Sequence, residues 1–83
     1  MKELKLMINC NEKRVAVKGT VNEIPPLELV GIYEFLRNEH KGKKVGGIII
    51  HMIFGKKGFL KRETIIPGLI PAEEIYENLK KSN

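Results

Sequence analysis

A single cysteine rules out a bridge within the chain. With Cys10 alone among 83 residues, a reducing, cytoplasmic setting is the expectation. Tryptophan is absent and aromatic residues make up 6% of the chain, which leaves little on which nucleic-acid bases could stack in series. His40, His51 and the thiol show none of the close ligand spacings that mark metal sites, so neither a metal nor another cofactor is expected. The longest apolar run, Gly46 to Phe54, is broken by His51 and falls far short of the ~20 residues of a bilayer span. The opening stretch MKELKLMIN mixes lysine and glutamate where a secretory leader keeps an apolar core. No membrane association is expected, and the chain reads as unprocessed.

What remains is enough for one small domain, residues 1–83. A hydrophobic fraction of 42% and a charged fraction of 30% belong to a globular protein. Leu4, Leu6, Ile8 and Cys10 alternate with Lys5, Met7 and Asn9, the period of a strand with one buried face. Val15, Val17 and Val21 alternate likewise. A tight turn at Asn11 and Glu12 would set Ile8 opposite Val15 and Leu6 opposite Val17. Pro25 and Pro26 then stop the strand and preset a helix. Leu29, Ile32, Tyr33 and Leu36 follow at helical spacing. His40 and Lys41 suit the negative helix end, and Gly42 terminates it. Gly31 weakens this helix and points to close packing against a sheet.

The second half repeats the plan. Lys44 to Phe54 reads as a strand, Gly55 to Gly58 as a turn and Phe59 to Ile66 as the returning strand, ended by Pro67, Gly68 and Pro71. A helix from Pro71 to about Lys81 carries Ala72, Ile75, Tyr76 and Leu79 on one stripe. When Ile32 is laid on Ile75, IYEFLR meets IYENLK and Lys18 meets Lys61. Residues 1–41 and 44–83 therefore read either as a ββα pseudo-repeat or as two similar hairpins whose amphipathic helices converge on the same stripe. The expected class is α+β, ββαββα, with a four-stranded, mainly antiparallel sheet and both helices packed on one face.

The stretch VGGIIIHMIFGKKGF, Val45 to Phe59, is where chemistry would be sought. Pairing about its turn sets Phe54 opposite Phe59, Met52 opposite Lys61, His51 opposite Arg62 and Ile50 opposite Glu63. His51 thus shares a face with Ile49 and Ile53, with no nucleophile or carboxylate placed to act with it. Glu63, the nearest carboxylate, falls on the other face. GKKG leads into a strand, whereas a phosphate loop needs a helix N-terminus. Glu73, Glu74 and Glu77 lie in the first turns of a helix, where they favour its dipole. No catalytic residue, enzyme activity or small-molecule substrate is expected. Gly46 and Gly47 admit a bulge or a close backbone approach. The strand before the turn is apolar on both faces, as a covered central strand is, and the strand after it carries Lys61, Arg62 and Glu63, as an edge strand does.

The net charge of +5 is unevenly placed. Lys41, Lys43, Lys44, Lys56, Lys57, Lys61 and Arg62 fall in one segment without an acidic residue, and the rest of the chain holds more acidic than basic residues. The expectation is a small non-enzymatic binding protein whose basic hairpin, residues 41–62, contacts nucleic acid or an acidic protein surface through those seven. Its size and lysine content suit an accessory or inhibitor protein of phage or plasmid type. The alternative is a homo-oligomer built through an apolar sheet face, because two short helices cover one face only. Ile48, Ile50, Met52, Phe54 and Phe59, or their opposite-face neighbours, then form the interface. A dimer would align two basic ribbons, so the two readings are compatible.

Overall fold

The alternating first strand decides which side of the sheet is inside. The computed structural model describes residues 2–19 and 24–81, with backbone alone at 17–19. Its elements run β1 (Lys2–Asn9), β2 (Arg14–Gly19), α1 (Pro26–Glu39), β3 (Lys44–Gly55), β4 (Gly58–Pro71) and α2 (Ala72–Lys81). The strands form one antiparallel sheet in the order β2-β1-β3-β4. This is the expected α+β, ββαββα arrangement. Leu4 lies opposite Met52, Leu6 opposite Ile50 and Ile8 opposite Ile48. Directly opposed residues project to the same face, so β1 and β3 together make one apolar floor. The expected helix stripes rest on it: Leu29, Ile32, Tyr33 and Leu36 from α1, and Ala72, Ile75, Tyr76 and Leu79 from α2.

β3 is central but is not covered on both faces. Ile48, Ile50 and Met52 are at most 1% exposed, whereas Ile49 is 46% exposed. The reason lies in β1, whose other side is Lys5, Met7 and Asn9. A helix laid there would bury a lysine and an asparagine without partners.

The first hairpin has the expected register, Ile8 with Val15 and Leu6 with Val17. Its turn is longer than two residues: Asn9 closes on Arg14, the Glu12 N–H donates to Asn9 Oδ1 at 3.2 Å, and Lys13 takes a positive φ of 53°. Val15 projects inward yet stays exposed, because β2 is an edge strand. Val21 lies outside the described residues. The second hairpin also has the expected register, from Phe54–Phe59 to Ile50–Glu63. Gly55 and Gly58 close a Lys56–Lys57 turn, and Gly58, with φ 141°, occupies a region that side chains rarely enter.

Pro67 and Gly68 do not end β4, contrary to the sequence expectation. Val45 pairs with both Pro67 and Ile70, so the strand bulges and continues to Pro71. Glycines make this crossing. A Cβ on Gly68 would stand 2.2 Å from the Gly46 nitrogen, and one on Gly46 would stand 2.8 Å from the Pro67 oxygen. Gly31, by contrast, has nothing within 4 Å of the corresponding position and does not mark a close approach. The halves share a plan but not a register. At the offset that aligns the helices, Lys18 falls on Lys61, yet Lys18 is paired with exposed Lys5 and Lys61 with buried Met52.

Past Gly42 (φ 85°) the chain turns into β3. The Ala72 N–H donates to the Lys43 carbonyl at 3.0 Å, and the Gly42 N–H to Glu73 Oε1 at 2.9 Å, which ties the start of α2 to the end of α1. Arg37–Glu77 at 2.8 Å and Lys80–Glu34 at 2.5 Å cross between the helices. Among the described residues no helix is long and apolar enough to cross a membrane.

Gly68→Ala is expected to cost about 3 kcal/mol or more, because backbone on the opposing strand must give way. Gly31→Ala should stabilise the protein by about 0.5–1 kcal/mol through helix propensity alone. Urea unfolding followed by circular dichroism measures both, and a Gly68→Ala protein of unchanged stability would contradict the tight crossing.

Candidate binding face and buried histidine cluster

The seven basic residues of the 41–62 segment do not form one edge. β3 is 12 residues long, and at ~3.3 Å per residue its ends lie roughly 36 Å apart, the whole long dimension of the molecule. Lys41, Lys43 and Lys44 stand at one end, and Lys56 and Lys57 at the tip of the hairpin at the other. Lys61 points toward the helices. Its ammonium contacts Glu39, lies 3.5 Å from Glu63 and sits 5.9 Å from the centre of the Phe35 ring. Arg62 projects to the opposite face, beside His51.

The five apolar residues expected at an interface also lie elsewhere. Ile48, Ile50 and Met52 are core. Phe54 packs at the margin of the core, and Phe59 meets Phe54 at 6.0 Å and Phe35 at 5.4 Å between ring centres. All five belong to the helix side of the sheet. The uncovered side is that of their opposite-face neighbours.

That outward face is ordered in rows across the strands. Lys5, His51 and Arg62 are consecutive register partners, and Lys18 is the partner of Lys5 on β2. Adjacent strands are about 4.8 Å apart, so Lys5, His51 and Arg62 stand side by side. Next to it run Ala16, Met7 and Ile49, an apolar row that ends on Thr64, and on its other side stand Glu3, Ile53 and Leu60. Met7, Ile49, Leu60 and Ile66 are all exposed. Among the described residues Glu3 is the one carboxylate at strand positions on this face. It lies 3.5 Å from His51 and 3.8 Å from Lys5. The helices carry the opposite charge: Glu28, Glu34 and Glu39 on α1 and Glu73, Glu74 and Glu77 on α2 stand against Arg37, Lys80 and Lys81.

On the covered side, the sequence reading missed His40. It is fully buried, not at the solvent-facing end of a helix. Its Nε2 is 2.6 Å from Glu63 Oε2 and its Nδ1 is 2.9 Å from the Tyr76 hydroxyl. A carboxylate only accepts, so Nε2 carries the hydrogen, and in the neutral ring Nδ1 accepts the hydrogen of Tyr76. Burial pushes the Glu63 carboxyl up, but the hydrogen bond and electrostatic attraction of His40, joined by Lys61, outweigh it and hold the group below the ordinary carboxylate range. Burial, with the Glu63 charge, pushes the Tyr76 phenol well up. The signal for His40 was present: Leu29, Tyr33, Leu36 and His40 continue one stripe at helical spacing. Donor atoms of Glu39, His40 and Glu63 lie within 4.8 Å of one another, and the Lys61 ammonium balances both carboxylates. His51 lies on the other face of the sheet. Cys10 is half-buried beside the first turn, and burial pushes its thiol up, away from the reactive thiolate.

Comparison with family models, with curated proteins and with solved structures gave no match.

His40→Ala is expected to destabilise by about 2–4 kcal/mol, as it opens a cavity and strands the Tyr76 hydroxyl. Tyr76→Phe should cost about 1–2 kcal/mol, and in a double-mutant cycle the pair should be non-additive. For pH, the Glu63 carboxyl is depressed in the folded state, so its contribution is complete above the unfolded carboxylate range and is lost as pH falls through the folded value. The stability gap between wild type and Glu63→Gln should therefore be present at neutral pH and close on acidification. A gap that widens in acid would refute the assignment.

Proposed function

We propose that the chain is a non-enzymatic binding protein and that its binding surface is the uncovered outward face of the sheet. The observation that carries this reading is the basic row Lys5–His51–Arg62 set between Met7 and Ile49 on one side and Ile53 and Leu60, together with Glu3, on the other. Exposed apolar side chains gathered on one sheet face and rimmed by polar residues mark interaction surfaces rather than ordinary solvent-facing strands. A face built on paired strands is also rigid, so little conformational freedom is lost on docking.

The basic-hairpin reading fares less well. It needs a continuous cationic edge, and the segment's charges stand at two ends and on two faces, with Lys61 balanced by Glu39 and Glu63. An enzyme is not favoured either. The polar cluster around Glu63 holds His40 and Tyr76 fully buried, and both nitrogens of His40 already have partners.

The test replaces Ile49 with a photo-crosslinking residue and compares it with the same residue at Leu27. Leu27, on α1, is 87% exposed against 46% for Ile49, so accessibility alone would favour Leu27. In a lysate of the cells that make the protein, salt-sensitive adducts are expected at position 49 and not at position 27. Adducts at position 27 alone, or none at 49, would refute the reading.

A further inference from the structure

We infer that the occupant of the outward face is an acidic protein surface whose carboxylates lie among apolar side chains. This rests on that face being the binding surface, and it follows from what the rows offer a partner. The basic row runs across the strands, at right angles to their direction, with steps of about 4.8 Å. Acidic residues three or four apart on a helix have their Cβ atoms about 5–6 Å apart, close to the same interval. On both sides of the row the sheet presents aliphatic groups, Met7 and Ile49 on one, Ile53 and Leu60 on the other. A partner that sets carboxylates on the row must therefore cover the flanks with something apolar to gain from their burial.

Nucleic acid matches the row but not its flanks. Single strands bind through aromatic platforms, and among the described residues no Phe, Tyr or Trp stands at a strand position on this face, where His51 is the one ring. Phe35, Phe54 and Phe59 gather on the helix side instead. Phosphates laid on the row would leave the aliphatic rows against sugar and solvent. A second copy matches the flanks but not the row. Two identical faces stacked about a two-fold axis bring basic rows toward each other, and like charges in a desolvated interface oppose association. Several carboxylates of a neighbour's helices are already shared with cations of their own, as in Arg37–Glu77 and Lys80–Glu34.

The experiment measures fluorescence anisotropy of the full chain with three labelled probes. These are an amphipathic peptide of interleaved glutamate and leucine, a poly-glutamate peptide of equal length, and an oligothymidylate. The glutamate–leucine peptide should bind at least about tenfold more tightly than the other two. Its affinity should fall by about tenfold or more in the Lys5→Glu/Arg62→Glu double variant, and measurably in Met7→Ser/Ile49→Ser. All four positions are exposed, and circular dichroism verifies that each variant folds. Tighter binding of the oligothymidylate, lost in the charge variant, would overturn the occupant while leaving the face in place. Equal binding of poly-glutamate would reduce the surface to bare charge and also overturn it. A dimer in light scattering that Ile49→Glu dissolves would install a second copy instead. Peptide binding indifferent to all four substitutions would remove the face itself, and with it the reading on which this inference stands. Failure of all three probes to bind would overturn the occupant.

Discussion

The antiparallel pairing of β1 with β3 is the constraint on which the rest of this structure depends. β3 is rich in isoleucine on both sides and by itself has no preferred inner face. β1 alternates strictly, and setting Leu6 opposite Ile50 commits Ile48, Ile50 and Met52 to the interior. A slip of one residue would turn every side chain of one strand to the other face. The two helices then have a single floor on which to lie. The same register that fills the core places Lys5 beside His51, and the second hairpin places Arg62 beyond it. Core and outward row are two consequences of one pairing.

The far edge of the sheet is specified by polar groups rather than by more hydrophobic area. Lys61 and Glu63 project inward from β4, where edge strands often carry charge against unwanted pairing. They are met by Glu39 and His40 from the end of α1 and by Tyr76 from α2. Both nitrogens of His40 have partners, Nε2 donating to Glu63 and Nδ1 meeting the Tyr76 hydroxyl, and full pairing of this kind is the condition for a buried polar network to cost little. Such a network adds direction more than strength, because a wrong placement of α1 would leave His40 buried without partners. At the opposite end of β4 glycine plays the comparable part, since Gly46 and Gly68 allow two backbones closer than side chains would permit.

The two layers divide the work. The helix side holds the core, the histidine cluster and the carboxylates, many of them shared with basic residues of the same layer. The outward side holds an ordered alternation of basic and aliphatic rows on a rigid surface. This arrangement supports a binding role for the outward face and favours an acidic, partly apolar protein partner over bare polyanions.

Much of the fold could be read locally. The helix stripes of Leu29 to Leu36 and Ala72 to Leu79, the turns at Gly42 and Gly55–Gly58, and both hairpin registers follow from short-range periodicity and turn chemistry, because residues close in sequence fix them. His40 continued a legible stripe, yet its partners Glu63 and Tyr76 come from distant elements. The passage of β4 through Pro67 and Gly68 depends on contact with Gly46. Tertiary structure alone also decided the pairing of β1 with β3. That contact joins strands separated by a hairpin and a helix, and an isoleucine strand apolar on both faces carries no local mark of which face will be covered. Summing charge along the chain therefore pointed to a basic hairpin. Folding divided that charge between two ends and two faces, and assembled a basic row from strands that the sequence keeps apart.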